Sequence, residues 1–453
     1  MGLPDNSDRG QWGSRLGFIL AASGSAVGLG NIWRFPYVTG ENGGAAFVVV
    51  YLACVFFIGL PLLLNELALG RASQRNPIGA FLATGGRTPF VLAGVLSLVL
   101  CFVVLSYYGV IAGWTIGYAI ATLAGKTLVF GEFAANPALV IPLFAVFIGL
   151  TTLIIQGGVE KGIERWTKLL MPLLLVLVLV IIARSLMLPG AMKGVEYYLK
   201  PDFSKITGKT FLMALGQAFF SLSVGWGLMI TYGSYMKKTQ SIASGGFWVA
   251  LMDTGVALLG GFMVFPAVFA FGKDVAAGPA LTFVTLPEVF SEMPLGMPIG
   301  VVFFFLLTVA ALTSSISMME VPVSYFVDEK GASRKKAAWI VGVLAFLFGL
   351  PSALSQGGSK LFSEMTLKLG SIEKTGFLDI MDFIFGTVLV VVISLLCSLY
   401  VGWVWKARKA VAEIEEGAPG FAPFAGVWSF FIKVVCPAIM LINLYFLLFP
   451  GKD

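Results

Sequence analysis

Residues 25–36 read Ser25-Ala26-Val27-Gly28-Leu29-Gly30-Asn31-Ile32-Trp33-Arg34-Phe35-Pro36, an apolar run interrupted by paired glycines. A second stretch repeats the device: Gln217-Ala218-Phe219-Phe220-Ser221-Leu222-Ser223-Val224-Gly225-Trp226-Gly227. Each lies in a segment long enough to cross a bilayer, where backbone N–H and C=O groups must find partners within the protein. Irregular backbone at that depth is tolerated only when it is buried in protein or lines a cavity. Two interrupted spans at corresponding places in two halves of a chain point to a transporter-type binding site near the membrane midplane.

The surrounding composition agrees. Of 453 residues, 58% are hydrophobic and 12% charged, against about 25% charged in ordinary globular domains. With a mean hydropathy of +0.92, the chain reads as an all-α polytopic membrane protein whose spans need about 20 apolar residues each. The net charge of +6 is small for this length and sits mainly in loops, so it orients the chain in a lipid bilayer; no nucleic-acid partner is expected. Histidine is absent, which excludes an imidazole base or a His metal ligand. Cys54, Cys101, Cys397 and Cys436 all fall in apolar runs and read as small core residues rather than a disulfide framework or zinc cluster.

Hydropathy gives about eleven spans, at 15–38, 42–70, 89–124, 137–155, 163–186, 209–236, 242–271, 297–328, 335–353, 375–405 and 425–449. Segments 277–293 and 355–372 are weaker and read as short helices at the outer surface. Residues 1–14 read as a retained cytoplasmic tail. That orientation puts Arg71, Arg75, Arg87, Lys161, Arg165, Lys168, Lys237, Lys238, Arg334, Lys335, Lys336, Lys406, Arg408 and Lys409 inside, as the positive-inside rule asks. Five spans at 15–186 and five at 209–405 each open with a broken helix. An odd number per set forces opposite topology, giving a 5+5 inverted repeat. An external loop at 187–208, a cytoplasmic loop at 406–424 and an eleventh helix with a short external C-terminus at 425–453 complete the plan, in the plasma (inner) membrane.

Carbonyls freed near Gly24, Ala26 and Val27 can coordinate a cation, and helix N-termini beyond the break attract an anion. Asn31 adds a neutral oxygen. Glycines can also simply let helices pack closely, but polar Asn31 and Arg34 beside them favour a site.

The run Gly28-Leu29-Gly30-Asn31-Ile32-Trp33-Arg34-Phe35-Pro36-Tyr37, followed by Glu41-Asn42-Gly43-Gly44, resembles the signature of the neurotransmitter:sodium symporter family. The resemblance covers all eleven spans and is to bacterial hydrophobic amino acid carriers in particular. It implies a LeuT-like fold with helices 1 and 6 unwound at mid-membrane, no enzymatic activity, and sodium-coupled import of a hydrophobic L-amino acid by alternating access. By that resemblance, one sodium site uses Ala26, Asn31, Ser221 and Asp253 with the substrate carboxylate. Asp253 departs from the asparagine usual there; a bound cation offsets its burial, or it caps a neighbouring helix. A second sodium site takes carbonyls of Gly24, Val27 and Ala310 with hydroxyls of Thr313 and Ser314, although such hydroxyls also bond their own helix.

The same resemblance lines the substrate pocket with Ala26, Gly28, Leu29, Gly30, Val104, Tyr108, Phe220, Ser221, Ser223, Trp226, Ser314, Ser317 and Met318. Glycine at 28, where amine-carrying relatives have aspartate, implies a substrate bearing its own carboxylate. Trp226 replaces a smaller Phe or Met and leaves the size limit open. Arg34 with Asp382 reads as an outer gate; Arg9 with Asp328, beside Trp12, Ser234 and Tyr235, reads as an inner one. Either pair could instead be static. Ala257 stands where chloride-independent relatives place a carboxylate; Asp253 one turn away, or Glu66, supplies that charge, so chloride is not expected to be required. A channel with a broken-helix filter, or a sodium-coupled carrier of another small carboxylate-bearing solute, are the alternatives. Oligomeric state stays open.

Overall fold

The computed structural model describes residues 10–87, 89–275, 281–369 and 372–449. Among them, nine helices are long and apolar enough to cross a membrane: Ala45–Ser73, Phe90–Leu123, Pro137–Ile155, Val159–Leu186, Ile242–Ala270, Gly296–Lys330, Arg334–Leu354, Phe377–Val404 and Pro419–Leu448. The helical pair Arg15–Ala26 and Gly30–Glu41, bent by 50°, makes a broken first span. Gly208–Ser221 and Leu228–Gly233 make the sixth. Residues 222–227 separate them as turns and bends. The chain is thus an all-α polytopic protein with a broken helix opening each set of five, and most span ends lie within a few residues of those read from hydropathy.

Local chemistry sets the ends. Ser14 caps the first helix by accepting the Gly17 N–H at 2.9 Å, satisfying one of its orphan donors. Gly331, at φ +61°, ends the eighth span in the left-handed region, where the missing Cβ removes the penalty. Several spans carry a single π-helical turn, a form that is frequent at functional sites. Two of these, Gly30–Arg34 and Asp382–Leu389, hold Arg34 and Asp382. Gly162 lies in another, Val159–Glu164, which runs into a helix that passes through Pro172 without a break.

The third and eighth spans pack along each other. The first broken span lies against the fifth, seventh and eighth, and both halves of the sixth lie against the second. All four cysteines are buried free thiols.

Three segments differ from the sequence reading. Residues 355–372 were expected to be a short helix; helix there is confined to Lys360–Ser363, and Thr366–Leu369 (β1) pairs antiparallel with Ile372–Thr375 (β2). The alternation in Thr366-Leu367-Lys368-Leu369 has the period of a strand, which a hydropathy window averages away. The stretches expected as loops at 187–208 and 406–424 carry the helices Ala191–Leu199 and Ala407–Glu415. In 277–293 the described part is helical, ending in Leu286–Glu292.

Candidate functional site

The first helix stops at Ala26, and its last turn of carbonyls loses its i+4 donors. Val27 turns extended (φ −74°, ψ 103°) and its N–H closes on Ser23 O at 2.6 Å. The remaining oxygens are met by other elements. Ser25 O accepts Ser223 Oγ and Ser314 Oγ, both at 3.2 Å. Val27 O accepts Thr313 Oγ1 at 3.3 Å and Ser314 Oγ at 3.5 Å. Thr313 Oγ1 also reaches Ala310 O at 2.9 Å, and a Cβ at Gly24 would touch the Thr313 side chain at 3.4 Å. The structure therefore brings Gly24, Val27, Ala310, Thr313 and Ser314 into one buried oxygen-rich cluster.

A second cluster lies on the other side of the break. Asn31 Nδ2 donates to Ser221 Oγ at 3.0 Å, Asp253 O at 2.9 Å and Asp253 Oδ1 at 2.7 Å. Ser221 Oγ lies 2.9 and 2.8 Å from the two Asp253 carboxylate oxygens. All three side chains are fully buried. Asn31 Oδ1 instead accepts the Gly28 N–H at 3.1 Å, so the amide presents nitrogen, not oxygen, to the carboxylate. Both clusters consist of carbonyl, hydroxyl and carboxylate oxygens, the donor set a hard cation such as sodium takes. In the second, Asn31 must turn its amide over to contribute its oxygen.

The sixth span breaks at Ser223, Gly225 and Gly227, all at positive φ (+53°, +84° and +72°). Glu66 holds this break: its Oε1 accepts the Gly225 N–H at 2.6 Å. A side chain at Gly225 would strike Ser394 Oγ and the Val390 carbonyl.

Between the two breaks lies a cavity of about 20 Å³, lined by Ser25, Ala26, Gly28, Gly30, Tyr108, Phe220, Ser223, Trp226, Leu228, Ser314 and Met318. Four residues assigned to this wall lie elsewhere. Ser221 turns to Asp253, and Leu29 faces a larger vestibule of about 360 Å³. Ser317 is bonded to Tyr232 Oη at 2.7 Å, and Val104 is packed in the third span. Ser25 and Leu228 join the wall without having been anticipated. Among the described residues no acidic side chain lines the cavity. Ser25 Oγ and Trp226 Nε1 make no hydrogen bond there, leaving donors for a polar guest. A Cβ at Gly28 would strike Ser314 Oγ, and one at Gly30 would come 2.9 Å from the Phe220 ring.

Tyr108 and Phe220 line both cavity and vestibule and so divide them. The Tyr108 hydroxyl accepts the Leu29 N–H at 3.3 Å. Phe220 lies edge-on to Trp226 with ring centroids 5.7 Å apart, and the Arg34 guanidinium sits 5.0 Å from the Phe220 ring centre. Arg34 and Asp382 both line the vestibule but are not joined. Arg34 donates to Gln217 Oε1 at 3.0 Å, and Asp382 accepts the Tyr107 hydroxyl at 2.9 Å.

At the opposite end, fully buried Trp12 donates to Tyr232 O at 2.9 Å and packs edge-on against Tyr232 and Tyr235. Ser234 Oγ donates to Thr231 O at 2.6 Å, and Asp328 accepts from Asn76 at 2.9 Å. Arg9 lies outside the described residues. Glu320, bonded to Tyr235 Oη at 2.5 Å and paired with Arg334, was not anticipated. Neither was the clamp by Glu66. In both cases an acid inside an apolar run was the available signal.

Two broken spans meeting over oxygen-lined clusters and a small cavity define a secondary transporter of the inverted-repeat type. A family model described as the sodium:neurotransmitter symporter family matches residues 9–136 and 131–450. The chain belongs to that family, whose members are sodium-dependent transporters and not enzymes. It is 39% identical over 441 residues to an uncharacterised sodium-dependent transporter, YhdH, of Bacillus subtilis (strain 168), covering 95% of this chain and 96% of the relative. It is 35% identical over 458 residues to another from Haemophilus influenzae, covering 97% and 98%. Among solved structures, MhsT in complex with L-phenylalanine matches with a TM-score of 0.87 at 42% identity, over 96% of this chain and 99% of that one.

Proposed function

We propose that this symporter carries a hydrophobic L-amino acid into the cell with two sodium ions, by alternating access, without requiring chloride. The observation that carries the reading is the convergence of both span breaks on one cavity with an oxygen cluster to either side. Tyr108 and the helix ends at the breaks offer donors to a substrate carboxylate, while Gly28 leaves no charge to pair an amine. The substrate carboxylate then completes the sodium site of Ala26, Asn31, Ser221 and Asp253; the second ion takes Gly24, Val27, Ala310, Thr313 and Ser314. Asp253 brings a fixed negative charge, which supports chloride independence. L-phenylalanine in the MhsT complex supports an amino acid as cargo. A cavity of about 20 Å³ holds roughly one water, so Phe220 and Trp226 must move to admit substrate, and Trp226 biases selection toward small aliphatic side chains.

In this reading the Arg34–Asp382 side faces outward, with its pair apart and a vestibule reaching Tyr108 and Phe220. The Trp12, Ser234, Tyr235 and Asp328 side faces the cytoplasm and is packed shut. The excess of Lys and Arg in the loops on that side supports a cytoplasmic N-terminus.

The test is uptake and binding of a panel of amino acids in proteoliposomes under sodium or potassium, with gluconate replacing chloride in a third series. Saturable, sodium-dependent counterflow of aliphatic L-amino acids is expected, unchanged in gluconate. Sodium and substrate should tighten each other by the same factor, as linkage requires. Undiminished affinity in potassium would sink the symport reading.

A further inference from the structure

A further cavity, of about 760 Å³, runs beside the vestibule between Gly208–Ser221, the tenth span and the last turns of the eleventh. Its wall is mostly apolar, and Phe211, Ile442 and Phe446 are 37–51% exposed there, so it opens toward the bilayer. Its charged groups have one sign. Arg34 and Lys209 are cations, Asn443 is neutral, and among the described residues no acid lines the groove. Lys209 interacts electrostatically with Glu41, which lies outside this lining, at more than ion-pair distance, and Arg34 donates to Gln217. Asn443 is 6% exposed. Its amide faces the groove without a protein partner among the described residues, which makes Asn443 a polar anchor for a guest. Arg34, Phe220, Gly386 and Thr387 line both this groove and the vestibule.

We propose that the groove binds a single-chain carboxylate amphiphile of the fatty-acid type, which inhibits transport by holding Arg34. A lining that holds two cations and, among the described residues, no acid favours an anionic guest, and guanidinium–carboxylate contacts are among the strong charge-assisted ones. The apolar wall calls for an alkyl chain. The space, about 760 Å³, is ample for one alkyl chain. The carboxylate engages Arg34 with Asn443 as a second donor, and the chain lies against Phe211 and Phe446. Held from this side, the guanidinium is kept from Asp382.

A photoreactive diazirine analogue of dodecanoate, added to the full-length protein in phosphatidylcholine nanodiscs, tests the site directly. Labelling is expected on Gly208–Ser221 and Cys436–Leu448, competed by dodecanoate and not by dodecanol. A Cβ at Gly216 meets nothing within 4 Å, so Gly216→Phe fills the groove without a clash; with Asn443→Leu it should cut labelling and weaken inhibition of uptake by about tenfold, the loss of one good contact. Uptake without dodecanoate should stay within about twofold, as for changes remote from the substrate. Labelling spread evenly over lipid-facing spans, equal competition by dodecanol, or competition by phosphatidylglycerol in place of dodecanoate would each overturn the proposal. Labelling needs no transport, so it fails or stands apart from the symport reading.

Discussion

Asp253 concentrates the electrostatics of the site in one side chain. It is fully buried and is the acceptor for Asn31 and Ser221. Asp253→Ala leaves those donors facing an apolar methyl, at roughly 1–3 kcal/mol for each buried group left unsatisfied. The expected outcome is folded protein in the membrane with sodium-coupled uptake lost, checked by size-exclusion fluorescence and by uptake at several sodium concentrations; normal uptake at low sodium would remove Asp253 from the ion site. Trp226 governs volume. Trp226→Met should shift the ratio of affinities for phenylalanine and valine toward phenylalanine by roughly 1–3 kcal/mol. An unchanged ratio would reassign the indole to packing and move the size filter to Met318. The residues of the breaks were legible in the sequence because glycine and polar groups stand out against an apolar run. Ser317 was misplaced and Leu228 missed because sequence does not tell which face of a span meets its neighbours; Ser317 bonds Tyr232 instead of lining the cavity.

At the scale of elements, the sixth-span break depends on close approach. Gly225 combines φ +84° with a backbone that leaves no room for a Cβ beside Val390. Gly225→Ala adds left-handed strain of about 1–3 kcal/mol to that clash, and should lower both thermal stability and uptake, whereas Gly216→Ala in the same span should lower neither. A melting-temperature comparison of the two variants decides it; equal behaviour would mean that the break tolerates a side chain. Hydropathy found the spans because about twenty apolar residues are visible in any window. It missed the β1–β2 hairpin because four-residue strands are shorter than that window, and it could not tie Glu66, read only as a possible substitute for chloride, to the break that it holds. The amide orientation of Asn31 was out of reach altogether, since it is fixed by Gly28 and Asp253 together.

For the whole molecule, the vestibule ends at Tyr108 and Phe220 while the Trp12 end is filled by aromatic rings. In the alternating-access cycle proposed above, the Arg34 side closes before the Trp12 side opens. Thr387, on the vestibule wall, can report the first of these events. Here the burial of all four native thiols has a practical consequence. Thiolate chemistry needs an exposed, ionisable sulfur, and Cys54, Cys101, Cys397 and Cys436 offer none, so the natural chain is already a blank background for site-directed probes. In Thr387→Cys the new sulfur should be the one that a charged methanethiosulfonate reagent reaches, and its rate of modification should fall when sodium and substrate are added together. A rate indifferent to both would mean that closure leaves this wall wet, and the single engineered sulfur would have located the barrier deeper in the protein.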